Sequence, residues 1–273
     1  MTPDRPRSAV VTGAARGIGR AIAAELVAHG YLVVVTDLDA SAAAATADEI
    51  GAHSGLALDV TDPAANRVVA AHAREVAPLG AWVCNAGVAF DGDLTDLSDD
   101  QVRLSVEVNV LGVMWGARAA ADAFLEQAGA GLRGGEIGIV ASLSAHAPVP
   151  NLSVYASTKA AVLSLATSIA SELHGDGIGV HAVCPDGVST AMLEGFDPHG
   201  STREILAAGV LLTPETVARE LVAMFGTARV YRTLPAWRGV VARAASLSPT
   251  LAMRVDPVMR RLGARRLRRA GVR

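Results

Sequence analysis

The sequence predicts one doubly wound α/β layer, a parallel sheet of about seven strands with helices on both faces, followed by a basic helical C-terminal extension. Three observations predict it. Short Val-rich runs alternate with helical patterns from residue 8 to residue 234. The runs are apolar on both faces, as strands must be when helices cover a sheet on two sides. No composition break divides residues 1–228, and right-handed crossovers make a single wound layer the economical topology. Residues 1–234 are therefore read as one domain and 235–273 as an extension packed on it or at an interface.

The elements follow in order. Ser8–Thr12 is the first strand, and glycines lead from it into the helix Gly17–His29. Tyr31–Thr36 (YLVVVT) is a second strand, Ala40–Ile50 an alanine-rich helix and Gly55–Val60 a third strand. Pro63–Ala77 reads as a helix because Asp62 suits its cap and Pro63 its first turn. Ala81–Cys84 is a fourth strand, and one long helix is expected from about Ser98 to Ala128, capped by Ser98 or Asp99. Glu136–Ala141, Ile178–Cys184 and Arg229–Leu234 complete the strands, with helices over Val154–Leu173 and Pro214–Phe225 between them. Beyond Leu234, prolines 235, 249 and 257 punctuate the chain, and Val255, Val258, Met259 and Leu262 fall on one face of a short basic helix.

Composition narrows the class. Hydrophobic residues make up 51% of 273 residues and charged residues 19%, which excludes a disordered chain and supplies a large core. Aromatics are only 4%, so Ala, Val, Leu and Gly must fill that core. No apolar run approaches the ~18 residues of a membrane span, and the N-terminus has no apolar signal region. Cys84 and Cys184 are too few for a disulfide framework and show no metal-ligand spacing. A cytoplasmic protein is the expectation. The net charge of −3 hides an asymmetry: residues 1–228 carry 12 basic and 26 acidic side chains, residues 229–273 carry 12 basic and one acidic. Such a tail docks on its own domain, on a second subunit or on an anionic membrane surface; an acidic body argues against nucleic acid.

The turn Thr12-Gly13-Ala14-Ala15-Arg16-Gly17-Ile18-Gly19 lies between the first strand and first helix. Gly13 permits a tight turn, Gly17 a close backbone approach to a ligand, and Gly19 close packing of helix on strand. The helix N-terminus then offers N–H groups and a positive dipole to a pyrophosphate, so a dinucleotide site is read here. Asp37 follows the second strand, 24 residues after Gly13. A carboxylate there accepts from the ribose 2′-OH and repels a 2′-phosphate. Arg16 pulls toward phosphate, but Leu38 offers no second cation; NAD is favoured, with NADP the alternative.

Tyr155 and Lys159 stand four apart at the start of the helix after strand five and share a face. A free phenol titrates near 10, and a neighbouring ammonium moves it toward the working range. Ser142 ends strand five and supplies a hydroxyl to orient a carbonyl or alcohol oxygen. Lys159 is the only lysine in the chain, and arginine, bulkier and forked, would substitute poorly there.

With these residues in hand, the sequence resembles the short-chain dehydrogenase/reductase family over about residues 7–234. The resemblance rests on TGAARGIG (12–19), Asp59-Val60, Asn85-Ala86-Gly87, Asn109, Ser142, YASTK (155–159) and Pro185. It implies a Rossmann-type, NAD(P)-linked oxidoreductase acting on alcohols or carbonyls. By the same resemblance Tyr155 is the acid/base and Ser142 the substrate-orienting hydroxyl. Lys159 binds the nicotinamide ribose and lowers the Tyr155 pKa, and Asn109 holds a proton-relaying water. Asp59 and Val60 contact the adenine, the run from Asn85 through Ala86 to Gly87 borders the ribose, and Pro185, Val188 and Thr190 line the nicotinamide. The family's Pro-Gly after strand six is Pro185-Asp186-Gly187 here, and its glycine-rich ending is replaced by the basic extension. A homodimer or homotetramer through the helices near 98–128 and 154–174 is also implied.

The loops at the carboxyl edge, 143–152 and 190–212, are mostly apolar (Leu143, Ala147, Pro148, Val149, Leu152, Met192, Leu193, Phe196, Leu206, Val210, Leu211, Leu212) and contain no arginine before Thr202. A small hydrophobic substrate, a secondary alcohol or its ketone, is the expectation. His146 and His199 are read as ordinary polar loop residues. The alternatives are a non-catalytic NAD-binding regulator or scaffold, and a peripheral membrane dehydrogenase tethered by its tail.

Overall fold

The computed structural model describes residues 6–147, 149–189, 211–248 and Thr250. Seven parallel strands form one sheet in the order β3-β2-β1-β4-β5-β6-β7: β1 Ser8–Thr12, β2 Leu32–Asp37, β3 Ser54–Ala57, β4 Leu79–Cys84, β5 Gly135–Val140, β6 Ile178–Pro185 and β7 Tyr231–Leu234. Helices α1 (Gly17–Ala28), α2 (Ala40–Ile50) and α7 (Pro214–Val222) cover one face. Helices α3 (Pro63–Val76), α5 (Gly112–Gly129) and α6 (Ser153–Leu173) cover the other. Chain order reverses between β1 and β4, which opens a crevice at their carboxyl ends, where ligands of such sheets sit.

The near-absence of aromatics is met by close approach. A Cβ on Gly116 of α5 would fall 2.8 Å from Trp82 Nε1, and one on Gly135 2.3 Å from the Phe124 ring, so both large side chains fit only because their neighbours have none. The Gln127 side chain closes α5 onto β4, accepting from Leu79 N at 2.7 Å and donating to Leu79 O at 3.0 Å. Pairing of buried backbone groups in this way avoids a desolvation cost of roughly 1–3 kcal/mol per group.

Three expectations change. The single helix from Ser98 to Ala128 is instead α4 (Asp99–Val106), a π turn (Glu107–Leu111) and α5. The Ser98 cap is as expected, with Gln101 completing a reciprocal capping box. The third strand ends at Ala57, three residues early, because Asp59 turns the chain by accepting from Thr61 N and Oγ1 at 2.9 and 2.7 Å. Beyond β7 a further helix, α8 (Ala236–Ser246), packs Gly239 against Thr233, and no periodicity had marked it. The basic helix expected around Val255–Leu262 lies outside the described residues.

Helix α8 also accounts for the acid in the run Pro185-Asp186-Gly187. Asp186 N donates to Leu234 O at 2.8 Å, and its buried carboxylate pairs with Arg238, Oδ2 lying 2.9 Å from Nε. Asp186 therefore joins the end of β6 to α8 through a largely dehydrated ion pair. Removing one partner leaves the other charge buried. Asp186→Asn should cost about 3 kcal/mol in urea denaturation, and Asp186→Asn combined with Arg238→Met should recover most of that loss; equal stability of wild type and the single variant would show that the pair is not holding the helix.

Candidate active site

The glycine turn is a backbone construction. Gly13 and Gly17 adopt φ of +61° and +58°, the left-handed region that side chains disfavour. A Cβ on Gly19 would lie 2.3 Å from Gly13 O, so helix α1 can enter only without one. The turn is braced from β4: Asn85 Nδ2 donates to Thr12 O and Gly13 O at 2.9 and 2.8 Å, and Asn85 N and Ala86 N donate to Thr12 Oγ1. Asn85 is thus committed to the turn itself, and Thr12, the first residue of the motif, braces the turn rather than meeting a ligand. Helices α2, α3 and α4 are capped by Asp39, Asp62 and Ser98, whereas Arg16, exposed at the start of α1, makes no capping bond. Asp37 Oδ2 accepts from Ala15 N at 3.0 Å, which fastens the acid at the end of β2 to the same turn. The cradle suits a dinucleotide: open N–H groups for phosphate, glycines where a Cβ would intrude, and a carboxylate at ribose position.

The second cluster forms where β5, α6 and the π turn meet. Lys159 is 4% exposed; its Nζ donates to Val140 O at 2.8 Å and lies 5.6 Å from the centre of the Tyr155 ring. Ser142, just past β5, caps the following turn by accepting from Ser144 N, and its hydroxyl lies on the side of the Tyr155 phenol whose pKa it draws down. Asn109 is fully buried in the π turn: Oδ1 accepts from Val88 N at 2.8 Å, and Nδ2 donates to Val88 O and Thr158 Oγ1 at 2.8 and 3.1 Å. Gly87 stands over this group; a Cβ there would be 3.2 Å from Asn109 Oδ1 and 3.6 Å from Lys159 Nζ. Ser142, Tyr155, Lys159, Asn109 and Gly87, spread over 73 positions, are brought together. Thr158, which accepts from Asn109 and donates to Tyr155 O at 2.7 Å, is a further member that lies within the YASTK run but had no role assigned from sequence.

The electrostatic balance differs from the sequence expectation. Burial pushes the Tyr155 phenol up to about 12, and the bond from Ser142 opposes that only in part. Burial also pulls the Lys159 ammonium down to about 8, against the attraction of the Cys184 and Cys84 sulfurs. In the ligand-free chain dehydration, rather than the neighbouring lysine, governs the phenol.

The remaining predicted residues scatter around these clusters. Asp59 is exposed, whereas the Val60 side chain is buried against Gly112, where a Cβ would meet it at 2.7 Å. Ile18 packs on the core beneath the glycine turn. Pro185 ends β6, and Val188 is buried and bridges to Leu212. Thr190, Pro148, Met192, Leu193, Phe196, His199, Leu206 and Val210 lie outside the described residues. His146 turns away from the site: its Nε2 is hydrogen-bonded to Thr233 Oγ1 at 3.1 Å and sits 3.5 Å from Arg243, and burial, then that guanidinium, hold its pKa below the usual imidazole value.

Residues 7–199 match the sequence model of the short chain dehydrogenase family. The chain is 36% identical over 205 residues to a sorbitol dehydrogenase of Cereibacter sphaeroides, a match spanning 74% of this chain and 78% of that protein. It is a short-chain dehydrogenase/reductase. This dehydrogenase/reductase is also 34% identical over 203 residues to the probable oxidoreductase EphD of Mycobacterium tuberculosis, a match covering 71% of this chain but only 33% of that longer protein. Its fold superposes with a TM-score of 0.80 on a short-chain dehydrogenase/reductase of Burkholderia phymatum crystallised with NAD, at 25% identity and covering 90% of this chain and 95% of the other. The protein is accordingly an oxidoreductase of the nicotinamide-dependent kind.

The depressed Lys159 pKa has a consequence for stability. From about pH 8 to the unfolded value of 10.5, the unfolded chain binds more protons at this site than the folded one, so stability from this group rises with pH across that window. Lys159→Met removes the rise. Urea midpoints at pH 7.5, 8.5 and 9.5 should therefore shift progressively in favour of wild type relative to the variant; parallel pH profiles would contradict a buried ammonium.

Proposed function

We propose that the protein is an NAD-linked dehydrogenase that interconverts an apolar secondary alcohol and its ketone, with Tyr155 as proton donor and acceptor. The observation that carries this reading is the cluster of buried Lys159 with half-buried Ser142 and Tyr155 at the carboxyl edge of the sheet, beside the braced glycine turn. Ser142 holds the substrate oxygen against the phenol, and the phenol takes or gives the hydroxyl proton. Lys159, anchored by Val140 O, keeps a positive charge beneath the Tyr155 ring. When bound, nicotinamide exchanges the hydride with the substrate carbon, and its oxidised form brings the extra positive charge that lowers the phenol from about 12. The Asn109 side-chain amide is spent on Val88 and Thr158, so its part in proton relay falls to its backbone carbonyl, which a π turn can release from the helical ladder. Asn85 serves the ribose indirectly, by shaping the turn.

Asp37 supports NAD: with Oδ2 tied to Ala15 N, the carboxylate is held toward the ribose position, and the next residue, Leu38, is 75% exposed and brings no cation for a 2′-phosphate. The Burkholderia structure, which holds NAD, points the same way. Leu143, Ala147, Val149 and Leu212 support an apolar pocket. Exposed Leu104, Val106, Met114 and Leu125 on α4 and α5 support a homodimer or homotetramer through those helices.

Tyr155→Phe should lower turnover of the best alcohol in a panel by about 10²–10⁴-fold while NADH still binds with wild-type affinity; near-normal turnover would refute the acid/base role. In parallel titrations followed by energy transfer from tryptophan, NADH should bind at least about tenfold more tightly than NADPH, and Asp37→Ala should narrow the gap. Tighter binding of NADPH would mean that Arg16 outweighs Asp37.

A further inference from the structure

Helix α8 has two unlike faces. Gly239 and Ala242 are buried against β7, and Arg238 is spent on Asp186. The opposite side carries Trp237, Val240 and Val241 at 58, 67 and 57% exposure, and Leu247, one position past the helix and seven past Val240, at 87%. These positions follow the i, i+3, i+4, i+10 spacing of one apolar stripe. Isolated exposed hydrophobes need no explanation, but a contiguous stripe on a helix that already has a buried face does.

The charge that follows the stripe in the sequence indicates what covers it. Residues 254–273, which begin eight positions after α8 ends, contain eight arginines and one acid, Asp256, whereas residues 1–228 carry a net −14. A second copy laid symmetrically on α8 would bring two such arginine-rich segments together. An anionic bilayer instead accepts the tryptophan and aliphatic side chains at its interface and the arginines at its headgroups, and it repels the acidic body so that only this side approaches. The stripe is also fixed relative to the dinucleotide domain, through the Asp186–Arg238 pair and the Arg243 guanidinium lying 4.9 Å from the Tyr231 ring centre.

We propose that the Trp237–Val240–Val241–Leu247 face of α8 is a docking surface for an anionic lipid bilayer, with the arginine-rich segment that follows it supplying the charge. Among the described residues no helix is long and apolar enough to cross a membrane, so the attachment is interfacial. The inference stands independently of the catalytic reading, because it concerns binding alone.

The test is co-sedimentation of the full chain with phosphatidylcholine vesicles made with or without phosphatidylglycerol. Wild type should partition onto the anionic vesicles only, with a blue shift of Trp237 emission that is absent from a Trp237→Phe control retaining buried Trp82 and half-buried Trp115, and added salt should weaken binding. Val240→Glu with Val241→Glu, both at exposed positions, should reduce partitioning about tenfold or more, and replacing Arg265, Arg266, Arg268 and Arg269 by Ser should do the same, with melting temperatures unchanged. Absence of wild-type binding overturns the proposal, as does equal binding by the Val240/Val241 variant, which would make the attachment purely electrostatic. If that variant instead lowers the oligomeric state in analytical ultracentrifugation and leaves lipid binding as it was, the stripe is a subunit contact.

Discussion

An ammonium group almost wholly withdrawn from water is costly, and a fold can keep one only where an acceptor is fixed in advance. Lys159 meets that condition through Val140 O, the last carbonyl of β5, at 2.8 Å. The bond sets the depth at which α6 lies on the sheet, and so the place of Tyr155 one turn earlier on the same face. It also explains why Gly87 faces the cluster: any side chain there would enter the space between Asn109 and Lys159. The geometry of the cluster is in this sense a by-product of satisfying one buried cation.

Polar side chains around the site divide into those that support backbone and those left to meet a ligand. Thr12, Asn85, Asn109 and Thr158 have their donors and acceptors engaged by neighbouring main chain or by one another. Ser142 and Tyr155 stay half-buried, and Asp37 keeps one oxygen beyond its bond to Ala15 N. Motif residues of both kinds look alike in a sequence; only the direction of the hydrogen bonds separates support from function.

The C-terminal region extends the same logic. In place of a glycine that would let the chain turn freely, Asp186 forms a charged anchor, and the partner Arg238 belongs to a helix the core does not otherwise need. That helix covers part of β7 with its glycine and alanine side and leaves an apolar stripe outward. Ion pairs of this depth contribute little net stability compared with apolar packing but strongly disfavour other arrangements, because a misplaced helix would strand both charges.

Much was legible from residue order alone. Apolar runs placed the seven strands, most plainly the Val-rich β1, β2 and β6, since strands covered on both faces are largely apolar. The glycine spacing of 13, 17 and 19, Asp37 at the end of β2 and the four-residue step from Tyr155 to Lys159 are local patterns, and local patterns survive without knowledge of the fold. What stayed hidden depends on partners distant in the chain. The π turn over Glu107–Leu111 has no residue signature, because it is a slip in hydrogen-bond register within an otherwise helical run. Helix α8 is short and Arg-rich, and it is held by contacts with Thr233 and Asp186 rather than by its own propensity. The upward push on the Tyr155 pKa has no local signature, because burial is a property of the packed whole. The sequence determined which chemical groups are present and which elements carry them; tertiary structure decided which of those groups lose their water, and it is the loss of water that sets charge, acidity and reach.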